Sequence, residues 1–220
     1  MKKSWWKILT VALLTYSILG AFLFDAPRLA ILNETIRNLH FHVTMWFGMI
    51  ILLTTSAIYA IRYLRSNELK HDDLSVEFAN AGVLLGILGI STGAIWANYT
   101  WGEPWSGDPK QNSSAIALLI YMAYLVLRNS LEDPTQKARV SAIYNVFAFA
   151  TLIPLLFILP RMTDSSLHPG NGGNPGFNAY DLDSRLRVVF YPAVIAWTLL
   201  GVWIVSLRVR IKRLKAAIED

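Results

Sequence analysis

The sequence predicts an all-α integral membrane protein, a bundle of six transmembrane helices joined by short loops. Three observations carry this. The chain is 54% hydrophobic over 220 residues, with a mean hydropathy of +0.40, which is too apolar for an ordinary soluble domain. Its apolar residues gather in long uncharged runs rather than in the narrow stripe of a surface helix. Its basic residues lie between those runs and are unequally shared between the two ends of the bundle. A single membrane domain over residues 1–220 is expected.

Six runs stand out, about 8–24, 43–61, 79–97, 114–127, 140–160 and 188–207. Each is near the ~20 residues that cross the hydrocarbon core. Lipid offers no hydrogen bonds, so each run must satisfy its own backbone and is expected to be a helix. The first follows Lys2, Lys3 and Lys7, with Trp5 and Trp6 as interfacial anchors. A signal peptide is the lesser reading of it, because the run is long for a signal core and no small-x-small site follows. The third carries Gly82, Gly86, Gly89 and Gly93, two small-xxx-small pairs that signal close helix packing. The fourth is the shortest, and Asn112, Ser113 or Arg128 extend it at the interface. Pro154 and Pro192 are expected to kink the fifth and sixth runs.

Six spans put both termini on one side. That side collects fourteen Lys and Arg; the other holds six, Arg28, Arg37, Lys110, Arg161, Arg185 and Arg187. The positive-inside rule then places both termini in the cytoplasm. The net charge of +5 reflects these anchors. No basic patch interleaves with aromatics on that side, so nucleic acid is not an expected partner; membrane lipid is. The absence of cysteine excludes disulfides, thiolate metal sites and C-x-x-C-H haem attachment.

The outer connections are roughly 25–42, 98–113 and 161–187, and the inner ones 62–78 and 128–139. In the inner ones, Arg128–Pro134 reads as a solvated turn, and His71, beside Asp72 and Asp73, as a surface histidine. The outer connection after the third run is unusual: Tyr99, Trp101, Gly102, Glu103, Pro104, Trp105, Gly107, Asp108 and Lys110. Aromatic faces of Trp101 and Trp105 suit stacking on a flat macrocycle, and Gly102 and Gly107 permit close backbone approach. Lys110, with Arg161 or Arg185, suits anionic groups such as propionates; the two arginines suit lipid headgroups equally. Trp46, Trp197 and Trp203 read most simply as belt or packing residues, and Trp96 reads either way.

His42 sits at the mouth of the second run, where a polar side chain is a candidate site residue and equally an interfacial histidine. His40 lies roughly 200° round a helix from it, so the two do not share a metal from one face. His168 follows Pro160 and precedes the Gly- and Pro-rich stretch 170–176, which is not expected to be regular structure. Alone it reads as a loop histidine. Joined with His42 on the same side, it reads as a ligand. Two imidazoles from different elements give iron a six-coordinate, low-spin site. Opposite an aromatic platform and without cysteine, they point to a non-covalently held haem b.

These motifs resemble the CcmC family, haem-handling membrane proteins of cytochrome c maturation, within the wider tryptophan-rich group that includes CcmF and CcsA. The family motif W-G-x-x-W-x-W-D-x-(R/K) is matched by Trp101, Gly102, Trp105, Asp108 and Lys110. Gly107 stands where the family has its later tryptophan, and Pro104 where tryptophan is common. The Arg-x-x-x-x-His-Val segment opening the second span is matched by Arg37, His42 and Val43, with Thr44 in place of proline. A Leu-His dipeptide is matched by Leu167 and His168, and His40 falls where the family usually has an aromatic.

The resemblance implies His42 and His168 as axial haem ligands, with Trp101, Gly102, Trp105, Asp108, Lys110 and Arg37 as further haem-binding residues. It implies a protein of the bacterial inner membrane that holds haem at the outer face. It also implies delivery to a periplasmic haem chaperone of the CcmE kind, beside ABC-type transporter subunits. On this reading the chain is not an enzyme. The alternative is a haem-handling component of a cytochrome c synthetase, CcsA-like. A b-type haem electron-transfer subunit is weaker, because it calls for four histidines paired across the bundle and only His42 lies near a span. A transporter without haem calls for polar residues in mid-span, which are almost missing.

Overall fold

In a computed structural model, residues 4–29, 31–163, 165–169 and 182–219 are described, and among them all regular structure is helical. The elements run α1 (Trp5–Leu23), a 3₁₀ segment (Asn33–His40), α2 (His42–Ser66), α3 (Leu69–Trp101), α4 (Pro109–Asn129), α5 (Pro134–Ile153) and α6 (Ser184–Glu219). Five helical stretches are long and apolar enough to cross a membrane: α1, Asn33–Ser66, α3, Pro134–Met162 and Ser184–Ile218. The expected fourth span, α4, is not among them: it packs in the bundle, but after Pro109 it opens with Lys110, Gln111, Asn112, Ser113 and Ser114. That polar first turn and a half lowers its apolarity. The outward faces bear out the membrane reading. Ile8, Phe22, Leu119 and Val126 are each exposed by 60% or more, a cost in water and none in lipid.

The helices overrun the apolar runs, so the connections are shorter than expected. The inner connection between α2 and α3 is only residues 67–68, with Asn67 in the left-handed conformation at φ 54°. Apart from Glu68, the charged residues of the expected loop lie on helical turns. The tryptophan connection shrinks to residues 102–108, and the connection between α1 and α2 contains the 3₁₀ segment. The stretch 170–176 lies outside the described residues.

The core is built where α2 meets α3, with α4, α5 and α6 around them: Met49, Leu52 and Leu53 face Leu85, Tyr121, Tyr124, Leu152 and Val205. The small-residue stripe works as its spacing predicts over its first half. A Cβ on Gly82 would meet Leu53 Cδ2 at 2.7 Å, and one on Gly86 would meet Leu118 Cδ2 at 2.4 Å and Met49 Sδ at 2.7 Å. Polar ties hold the inner half. Ser56 and Ser75 donate to each other's carbonyls at 2.6 and 3.0 Å, and Asn145 Nδ2 donates to both hydroxyl oxygens at 2.7 and 2.9 Å, joining α2, α3 and α5.

The reading of Arg128 as part of a solvated turn is corrected. Its guanidinium is buried and binds both oxygens of Asp72 at 2.7 and 2.5 Å. Arg128 still lies within α4, whose last turns lean on α3, so its long side chain reaches inward. Pro154, which lacks an amide hydrogen, coincides with a break in α5. The chain continues as a π turn, Pro154–Ile158, and a 3₁₀ turn, Leu159–Met162, which carry it toward His168.

Candidate haem site

The site is assembled from three places: the start of α2, the α3–α4 connection and the segment after α5. His42 is the first residue of α2. Its ring lies over the second half of the glycine stripe. A Cβ on Gly93 would come within 2.4 Å of His42 Cε1, and Nδ1 bonds Gly89 O at 2.8 Å. A backbone carbonyl only accepts, so Nδ1 carries the hydrogen. Trp96 and Trp46 stand edge-on to the ring at centroid distances of 5.9 and 6.4 Å. Trp96 is fixed in turn by its Nε1–H, which donates to Thr35 Oγ1 at 3.0 Å. Thr44, in the place of the family proline, donates to His40 O at 2.5 Å and ties the 3₁₀ segment to α2.

His168 is held by Asp108. Nδ1 lies 2.9 Å from Asp108 Oδ1, and the ring meets the edge of Trp101 at 4.9 Å. Asp108 is also the N-cap of α4, accepting from Lys110 N at 2.8 Å and Gln111 N at 3.4 Å, with Pro109 at the first helical position. It further accepts from Leu167 N at 2.7 Å and Ser166 Oγ at 3.2 Å. Burial opposes its ionisation. The hydrogen bond and charge of His168, with the amides of Leu167 and Lys110, more than offset that and hold the carboxyl well below the usual carboxylate range.

The connection between Trp101 and Asp108 is shaped by two left-handed glycines, Gly102 at φ 89° and Gly107 at φ 73°. It is clamped to α4. Gln111 Oε1 accepts from Ser106 N and Oγ at 3.1 and 3.3 Å, Gln111 Nε2 donates to Pro104 O at 3.3 Å, and Asn112 Nδ2 donates to Gly107 O at 2.9 Å. Trp105 is 41% exposed and is pinned by Nε1–H to Asn112 Oδ1 at 3.2 Å. Lys110 and His168 lie within electrostatic reach of the His42 ring, and Arg161 within reach of Lys110.

Of the expected residues, the fold therefore gathers His42, His168, Trp101, Asp108 and Lys110, with Trp105 and Gly102 at the exposed rim. Arg37 is engaged elsewhere. It donates to Ala21 O at 2.9 Å and Phe24 O at 2.7 Å, closing the C-terminal end of α1, and pairs with Glu34 at 2.7 Å. His40 is buried, and its Nδ1 has no hydrogen-bond partner among the described residues. Four contributors were not expected. Gly89, Gly93 and Trp46 read as packing residues, and Gln111 carried no signal in the sequence. The glycines were visible, but helical spacing alone does not tell which neighbour a stripe receives.

Haem fits this donor set. Each histidine has Nδ1 occupied by an oxygen acceptor, and neither Nε2 has a hydrogen-bond partner among the described residues. Among those residues no three metal-ligating side chains converge, so a bare ion would be under-coordinated. A macrocycle brings its own in-plane nitrogens and asks the protein for axial imidazoles only.

Residues 3–168 match the family described as Cytochrome C assembly protein, a stretch that contains His42, the tryptophan connection and His168. Among curated proteins, the chain is 39% identical over 93 residues to the cytochrome c biogenesis protein CcsA of Pelargonium hortorum, covering 42% of this chain and 29% of that one. It is 46% identical over 77 residues to CcsA of a Prochlorococcus marinus strain (35% and 24%), and 41% identical over 71 residues to CcsA of Thermosynechococcus vestitus (32% and 22%). The chain spans less than a third of the length of these relatives. They carry the CcsA name rather than the CcmC name, and so favour the alternative drawn from the sequence. The expectation that the chain is not an enzyme is corrected with it, because CcsA-like chains are the ones read above as synthetase components.

Proposed function

We propose that this chain, which belongs to the Cytochrome C assembly protein family, is a CcsA-like, haem-handling component of a cytochrome c synthetase that holds haem b non-covalently at the outer face of a bacterial cytoplasmic membrane. Haem is the cargo, bound between His42 on α2 and His168 after α5. The observation that carries this reading is the pair of imidazoles held by oxygen acceptors at Nδ1, with neither Nε2 engaged among the described residues and both suited to iron. Trp101 and Trp105 offer aromatic surface beside it, and Lys110, with Arg161 near, supplies positive charge for the propionates. An exposed Trp105 and a rim open to the outer side suit a ligand that is held and then given up. The charge distribution supports cytoplasmic termini.

The test is the absorption spectrum of the purified protein, oxidised and reduced, beside His42→Ala and His168→Ala. A low-spin b-type spectrum in the wild type that each variant loses or converts to high spin supports the proposal. Wild-type protein that holds no haem after reconstitution overturns it. Incubation of the loaded protein with reduced apocytochrome c then reads thioether formation, the step that separates a synthetase component from a carrier that only gives haem up.

A further inference from the structure

We infer that Asp108 is a positioning residue for His168, fixing its proton on Nδ1 so that an unprotonated Nε2 is presented to the iron, and that it does not touch the haem itself. The functional meaning rests on the haem reading above; the tautomer is a property of the ligand-free protein.

Three observations carry the inference. The first is engagement. Asp108 Oδ1 receives four donors, His168 Nδ1, Lys110 N, Gln111 N and Ser166 Oγ, and Oδ2 receives Leu167 N. With the side chain 1% exposed, the carboxylate faces these partners rather than open space. The second is polarity. An ionised carboxylate only accepts, so the hydrogen in the 2.9 Å contact with His168 belongs to Nδ1. The third is connectivity. The same carboxylate caps α4 and accepts from the Leu167 amide, so it sets the position of the histidine backbone as well as the ring. The two imidazoles are thereby unequal. His42 leans on a neutral carbonyl, Gly89 O, and His168 on a carboxylate, so the two rings are oriented by partners of different charge.

The experiment compares wild type with Asp108→Ser and Asp108→Asn. Serine is as good an N-cap as aspartate but is too short to serve His168 as well. Asparagine keeps an oxygen for the ring and loses the charge. The ligand-free protein, labelled with ¹⁵N-histidine and assigned through His168→Ala, reports the tautomer at mildly alkaline pH. Haem titration reports affinity, and thermal melting checks the cap. The expected result is the Nδ1–H tautomer in wild type and a shift toward Nε2–H in Asp108→Ser at nearly unchanged melting temperature. Haem affinity should then fall by about 10- to 100-fold, with Asp108→Asn between the two.

An Nε2–H tautomer in wild type overturns the inference. So does a serine variant whose tautomer and affinity match wild type. A tautomer switch in a protein that never binds haem upholds the positioning role and overturns the haem reading, so the two failures are told apart.

Discussion

The ring of His42 rests on the α-carbon of Gly93, so close that a Cβ there would stand 2.4 Å from Cε1 and 2.8 Å from Nδ1. The glycine stripe of α3 thus serves two ends. Gly82 and Gly86 seat core side chains, while Gly89 and Gly93 seat Trp46 and the histidine. Gly93→Ala is expected to push the ring off the Gly89 carbonyl and to cost about 1–3 kcal/mol, as overpacking does. The haem spectrum should turn partly high-spin, while Gly82→Ala, which strains only Leu53, should lower the melting temperature and leave the spectrum unchanged. Spectra and melts of the two variants side by side check this.

Gly107 stands where the related motif has tryptophan, and its backbone explains the residue. At φ 73°, with nothing within 4 Å of a Cβ, the obstacle is conformational rather than spatial. Gly107→Ala and Gly107→Trp are expected to destabilise the connection by about 1–2 kcal/mol. Gly107→Asn should cost less, because asparagine tolerates the left-handed region. Limited proteolysis at the outer face, read as the rate of cleavage between α3 and α4, ranks the three.

The Asp72–Arg128 pair ties α3 to α4 in a buried setting. Removing one partner strands the other charge. Arg128→Met alone is expected to cost about 3–5 kcal/mol, and Asp72→Leu with Arg128→Met together should recover most of it. A double-mutant cycle of melting in detergent measures both numbers. Additive losses would mean that the pair is not coupled.

Because the chain has no cysteine, single cysteines report topology cleanly. Glu103→Cys on the exposed outer connection should react with an impermeant maleimide added to whole cells. Asn67→Cys and Glu132→Cys, on the two opposite connections, should react only after lysis. The reverse pattern would invert the bundle and move the histidines to the cytoplasm.

Much of the fold was legible because lipid simplifies the problem. A run such as 43–61 has to be a helix wherever it sits, since nothing else satisfies its backbone. What was not legible was where helices stop. The sequence put a loop over 62–78, yet the structure leaves only residues 67–68, because charged residues such as Arg62, Arg65 and Lys70 continue a helix readily once outside the hydrocarbon. α4 shows the converse. Its apolar run is short, and its polar first turns are recruited by the clamp of Gln111 and Asn112 on the preceding connection.

The candidate site divides in the same way. Residue type and topology sufficed to single out His42, His168 and the tryptophan connection, because imidazoles and aromatic faces are rare and topology sorts them by side. Arg37 enters only through the resemblance, as the start of the Arg-x-x-x-x-His segment, and the structure places it on the carbonyls of Ala21 and Phe24. Helix ends need donors wherever a long cation passes within reach, and spacing along the chain carries no information about that.

The sequence by itself determined that this chain is a helical membrane protein, that its rare chemistry-bearing residues gather at one end of the bundle, and that any haem is held without thioethers to this chain. These follow from composition, charge order and the absence of cysteine, all of which are properties of the chain before it folds. Only the tertiary structure decided what each histidine leans on: Gly89 O for His42 and Asp108 for His168. Those partners lie 47 and 60 residues away, and a hydrogen bond of less than 3 Å between them exists only once α3, α4 and the segment after α5 have packed to within tenths of an ångström.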